Sequence, residues 1–227
     1  MIQALIRAKK AMGYLSLVLV PVSLYMAFVY APEEATGVFQ RIFYYHVAAA
    51  WNGYLFIGLV AVASLMYLIR KDEQWNDAAR TAGELGVLFI TLTLILGSLW
   101  ARPAWNVWWT WDPRLVTTLI LWFIYVAYLL IQAGAESNQR LKRFAAVFAI
   151  VGFLDIPLVH YSAILWRSIH PNVIRAGDPG MPFEMLLAMI ASVIAFTPLG
   201  LYLWGQRLEV EQLKRRVEKL KESLLWT

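Results

Sequence analysis

Ala82-Gly-Glu-Leu-Gly-Val-Leu-Phe-Ile-Thr-Leu-Thr-Leu-Ile-Leu-Gly-Ser-Leu-Trp100 runs into Ala101-Arg-Pro-Ala-Trp105-Asn-Val-Trp108-Trp109-Thr-Trp111-Asp112-Pro-Arg114, and a second apolar run, Leu115–Ala133, follows. Each apolar run is long enough to cross roughly 30 Å of hydrocarbon as a helix. The segment between them holds five of the chain's eleven tryptophans within twelve residues, Trp100 to Trp111. Lipid offers no partner to an unpaired peptide group, so the runs read as helices joined by a loop at one membrane surface. Working outward, Met12–Tyr30, Val47–Ile69, Phe144–Ala163 and Phe183–Trp204 have the same character. The chain is 60% hydrophobic and only 15% charged, where soluble domains carry about a quarter charged residues. The expected fold is therefore an all-α integral membrane protein with six transmembrane helices. The first run is too long for a signal-peptide core and five spans follow it, so it reads as an uncleaved helix. Pro21, Pro157 and Pro198 lie inside spans, where kinks are tolerated.

Basic residues set the orientation. With the N-terminus cytoplasmic, fifteen of the twenty lie inside: Arg7, Lys9, Lys10, Arg70, Lys71, Arg80, Arg140, Lys142, Arg143 and six after Trp204. Five lie outside: Arg41, Arg102, Arg114, Arg167 and Arg175. Both termini are thus expected in the cytoplasm and the tryptophan loop outside. The net charge of +5 restates this bias and gives no reason to invoke nucleic acid. Cysteine is absent, which excludes disulfides and zinc–thiolate sites. The chain divides into a membrane domain, residues 1–205, and a tail, 206–227. In the tail Val210, Leu213, Val217, Leu220 and Leu224 recur at alternating spacings of three and four, a seam of about two heptads. Glu211 and Arg215 have the i,i+4 spacing of a helix ion pair. A short amphipathic cytoplasmic helix is expected, lying along the inner membrane or against an inner loop; docking to a partner and self-association are the alternatives.

The outer side gathers the residues that carry chemistry. All three histidines fall there: His46 before the second span, His160 near the outer end of the fifth, and His170 in the last outer loop. Histidine is the commonest metal ligand among side chains, and two from different loops can fill both axial positions of a haem iron. Tryptophan left in water exposes a large apolar area, so the loop must bury its rings in lipid, in protein or against a flat ligand. Single tryptophans such as Trp100, Trp122 and Trp204 suit an interfacial belt. Trp105, Trp108, Trp109 and Trp111 are too dense in one loop for that. Arg102 and Arg114 border them with positive charge, as propionates require, and Asp112 is placed to orient Arg114 or to contact a partner. Asp155 lies inside a span and is a functional candidate on that ground, or satisfies a backbone group near Pro157. Glu184 opens the last span, where a carboxylate suits the helix N-terminus.

At these residues the chain resembles the CcmC family, the haem exporter protein C of cytochrome c maturation. The carrying motif is the tryptophan-rich "WWD" domain, here Trp105-Asn-Val-Trp108-Trp109-Thr-Trp111-Asp112-Pro-Arg114-Leu115 within loop 100–115. Flanking matches are Phe43-Tyr44-Tyr45-His46-Val47, Pro157-Leu-Val-His160-Tyr161-Ser162 and Trp166-Arg-Ser-Ile-His170. The resemblance covers nearly the whole chain. It implies haem b held at the outer face of a bacterial cytoplasmic membrane, with His46 and His170 as axial ligands and His160 without that role. Without the resemblance, the choice between His160 and His170 stays open. It further implies delivery to the periplasmic haem chaperone CcmE, alongside the ATP-driven CcmA–CcmB transporter and the small protein CcmD. The family motif commonly has glycine after its first tryptophan and a residue other than proline after the aspartate; this chain has Asn106 and Pro113.

The residues themselves favour a carrier rather than an enzyme. Two imidazoles on iron leave oxygen no open position, and the absence of a Walker motif assigns ATP to another chain. A haem-bearing electron-transfer subunit would place paired histidines inside the bundle, not at one surface. A cofactor-free permease with an aromatic outer gate would need ionisable residues near mid-membrane, and this chain has few.

Overall fold

A computed structural model describes residues 2–33, 36–135, 138–170 and 180–225. Among these the architecture is entirely helical: α1 Ile2–Tyr25, α2 Gln40–Arg70, α3 Glu73–Trp105, α4 Pro113–Gly134, α5 Gln139–Phe153, α6 Asp155–Leu165 and α7 Phe183–Leu225. Six helical segments are long and apolar enough to cross a membrane, with α5 and α6 together forming the fifth. Arg175, one of the five basic residues assigned to the outer side, lies outside the described residues.

Helices α2 and α3 form the central hairpin, and small residues let them meet closely. A Cβ added at Gly53 would lie 2.5 Å from Ile90, and one at Gly86 3.1 Å from Ile57. The rings of Phe56 and Phe89 stack at 5.7 Å, with Trp204 of α7 edge-on to Phe56. Trp204 is therefore a core residue rather than part of a belt: it is buried, and its indole N–H donates to Thr81 Oγ1 at 3.0 Å. Trp122 also turns inward, donating to Thr91 Oγ1 at 2.8 Å. Helices α1 and α7 pack along one flank of the hairpin, while α4, α5 and α6 close the other.

Three boundaries differ from the sequence reading. Phe43 to His46, expected in a loop, lie in the first turns of α2 because the helix starts at Gln40. Arg41 reaches back to the carbonyls of Ala27 and Phe28 at the end of the first span, so this junction needs no long loop. Trp100 to Trp105 continue α3 through Pro103. The fifth span breaks at Leu154, whose N–H bonds to Val151 O at 3.1 Å. Pro157 causes this: it has no N–H to offer the carbonyl four residues back. Asp155 follows the break, buried, and its Oδ2 has no hydrogen-bond partner among the described residues.

The tail is the unbroken continuation of the sixth span in α7. Glu211 and Arg215 do not pair with each other. Arg215 pairs with Asp77 and Glu211 with Arg80 at 3.6 Å, both on the first turns of α3. Arg207 grips Glu84 with two hydrogen bonds of 2.6 and 2.8 Å, and Lys9 of α1 pairs with Glu209. Ion pairs across helices thus outcompete the local i,i+4 pair.

Candidate functional site

Helical spacing carries the site. On α2, His46, Ala50 and Tyr54 are successive fourth residues and share one face. On α3, Thr93, Leu94, Gly97 and Ser98 form the facing stripe, and on α4 Arg114, Leu115 and Thr118 do the same. These residues, with Val47, Trp100, Trp105, Trp109 and His170, line one cavity of about 170 Å³. An apolar groove of about 450 Å³ between α3 and α4 adjoins it, sharing Leu94, Ser98 and Trp109 and adding Ile95, Leu99 and Leu119.

The cavity brings two histidines together. The ring centres of His46 and His170 are 6.4 Å apart and their planes differ by 40°. A metal–imidazole bond of about 2.0 Å, plus ~1.1 Å from nitrogen to ring centre, would put the centres of two imidazoles on opposite sides of one iron roughly 6.2 Å apart. The ring centres of His46 and His170 stand at about that separation. Gly97 sets one side of this spacing, since a Cβ there would lie 2.9 Å from His46 Cε1. His160 is elsewhere: exposed on α6, edge-on to Tyr161 at 5.3 Å, and not part of the cavity wall.

The two imidazoles are held in opposite tautomers. His46 Nδ1 lies 3.0 Å from the Thr93 carbonyl, which can only accept, so Nδ1 carries the proton and Nε2 presents its lone pair. Arg114 Nη1 lies 3.2 Å from His170 Nδ1, and a guanidinium can only donate, so this Nδ1 accepts and the proton sits on Nε2. His46 is thus preset for a metal on Nε2, whereas His170 is not while Arg114 holds it.

The tryptophans divide by role. Trp105 is edge-on to His170 at 6.2 Å and to Trp100 at 5.6 Å, and Trp109 completes the wall. Trp108 and Trp111 are 56% and 79% exposed and lie outside the cavity. Ser98 Oγ donates to Trp108 O at 2.7 Å and so pins the loop to α3. Arg102 donates to Asn106 Oδ1 at 2.8 Å and closes the end of α3, away from the cavity.

Asp112 does more than the sequence showed. Its Oδ1 accepts from the Arg114 N–H at 2.9 Å, capping α4. The same carboxylate accepts from Ser168 Oγ at 3.0 Å and from Ile169 N–H at 2.8 Å. One buried carboxylate therefore ties the tryptophan loop to the segment that carries His170. The unusual motif residues fit this backbone: Asn106 sits at φ 59° in the left-handed region, which glycine or asparagine tolerates, and Pro113 follows the cap in the helix position that suits proline. Sequence reasoning missed Tyr54, Thr93, Gly97 and Thr118; Tyr54 lies two fourth-residue steps from His46 and Thr118 one from Arg114, a signal that was available, whereas Thr93 and Gly97 face His46 from another helix and had none.

A profile of the family described as "Heme exporter protein C" matches residues 2–223. "Heme exporter protein C" of Bradyrhizobium diazoefficiens is 31% identical over 207 residues, covering 90% of this chain and 79% of that protein. The protein of the same name from Haemophilus influenzae is 29% identical over 215 residues, 93% and 84% of the two chains. That of Escherichia coli K12 is 31% identical over 171 residues, 73% and 69%.

Proposed function

Because this chain belongs to the CcmC family, heme exporter protein C, we propose that it holds haem b between His46 and His170 at the outer membrane surface and passes it to a CcmE-type chaperone for c-type cytochrome assembly. The chain is a membrane transport protein and not an enzyme; haem is its cargo. The single observation that carries the reading is the pair of imidazoles 6.4 Å apart in an aromatic cavity.

The residues divide the work. His46, His170 and the rings of Trp105 and Trp109 grip the iron and the macrocycle, with the α3–α4 groove receiving the part that the cavity does not enclose. Arg114 is the propionate partner lining the cavity, while Arg102, bonded to Asn106, stands apart from it. Trp108 and Trp111 present exposed faces beside the opening, where the chaperone docks. The CcmA–CcmB transporter and CcmD are the expected companions in the membrane, supplying the ATP-driven step that no motif of this chain supports.

The tautomers order the loading. His46 can ligate at once. His170 must move its proton to Nδ1 before Nε2 can bind iron, which requires Arg114 to leave it. A propionate is the stronger acceptor for a guanidinium, so cargo arrival draws Arg114 away and frees the second ligand in one exchange.

Absorption spectra of the purified protein, oxidised and reduced, test the assignment. Wild type and His160→Ala are expected to show the same six-coordinate low-spin haem. His46→Ala and His170→Ala are expected to lose it. An unchanged spectrum for either of the latter two overturns the ligand pair.

A further inference from the structure

Helix α7 has 43 residues, which at about 1.5 Å each is roughly 65 Å, twice the ~30 Å of hydrocarbon it must cross. The part beyond Gly205 carries ten charged residues in twenty-two and so stands in water. Its polar face is occupied: Arg207, Glu211 and Arg215 bind Glu84, Arg80 and Asp77 of α3, and Gln212 meets Gln3 of α1. These contacts fix the helix's rotation. They turn the opposite face outward, where Val210, Leu213, Val217 and Leu220 are 43%, 52%, 49% and 63% exposed. An apolar stripe in water, held in place by ion pairs behind it, is a surface built for an occupant.

We propose that this seam docks an amphipathic helix of a partner protein whose apolar stripe is bordered by acidic side chains. The seam places β-branched valine at a and leucine at d, the pattern of a parallel two-helix pair. Its borders choose the partner. Lys214, Arg216 and Lys221 flank the seam and are exposed. The one acidic border residue, Glu209, is already drawn to Lys9. A second copy of this chain would set Arg216 against Lys221 of the other copy, a like-charge contact at the positions that decide coiled-coil pairing. A helix bordered by glutamates meets all three cations favourably. The seam lies at the membrane face opposite the histidines, so docking there is separable from haem binding.

The test uses the full-length protein in lipid nanodiscs and two designed four-heptad peptides with isoleucine at a and leucine at d, one with glutamate and one with lysine at every e and g position. The glutamate peptide is expected to bind and the lysine peptide to bind at least tenfold more weakly. Leu213→Asp with Leu220→Asp is expected to abolish binding. Lys214→Glu, Arg216→Glu and Lys221→Glu together are expected to invert the preference, which shows that the variant is still folded. Because the chain has no native cysteine, Leu213→Cys in isolated membranes treated with a copper–phenanthroline oxidant, which takes up the two electrons, reports self-pairing cleanly. A disulfide between two copies, equal binding of both peptides, or no binding of the glutamate peptide overturns the proposal.

Discussion

Gly97 controls the site through what it lacks. Alanine there would press its Cβ on the His46 ring, and the ring cannot yield without losing the Thr93 bond. Gly97→Ala is expected to leave helicity unchanged by circular dichroism and to weaken or shift the low-spin haem spectrum. Arg114→Met removes the proposed propionate partner. Charged hydrogen bonds of this kind contribute about 1.5–3 kcal/mol, so haem titration should show affinity falling roughly ten- to hundredfold. Asp112→Ala removes a cap and two inter-loop bonds. The expected result is an intact bundle that loses haem readily, while Asp112→Asn, which keeps an acceptor for the cap, retains part of it. The histidines and tryptophans of the cavity stood out in the sequence because their residue types are scarce or clustered. The tie from Asp112 did not, because its partners lie 56 and 57 residues away and no local pattern encodes that distance.

Individual helices were legible where hydropathy decides and misjudged where side chains decide. All six spans follow from runs of apolar residues, whose burial in lipid fixes helix without reference to neighbours. The early start of α2, the extension of α3 past Pro103 and the break at Leu154 go with the reach of Arg41 to the first span, the left-handed Asn106 and one missing N–H, which a hydropathy window averages away. The tail is the plainest case: its local i,i+4 pair gave way to bonds with α3. The contact of Arg215 with Asp77 has the most buried carboxylate of these. Arg215→Ala leaves the Asp77 charge buried beside Glu73 and Glu211, at a cost on the order of 3 kcal/mol. Limited proteolysis should then cut the tail of the variant faster than wild type, and adding Asp77→Asn should restore much of the protection.

At the scale of the molecule, the hairpin α2–α3 packs between two flanks, and the proposed outward placement of the histidines depends on which way it faces. A chain free of cysteine allows the orientation to be read one residue at a time. Trp111→Cys is expected to react with an impermeant maleimide applied outside intact cells, and Glu222→Cys only after permeabilisation; the reverse pattern would turn the whole assignment over. His46 rides on this hairpin, packed in α2 and bonded to α3. His170 does not: the stretch after α6 that bears it is held to the motif loop by the Asp112 carboxylate. If haem sits between the two imidazoles as proposed, the fixed one acts as an anvil and the other is clamped only through loop contacts. Letting go then asks for the hydrogen bonds of the Asp112 carboxylate and not for the packing of the helices.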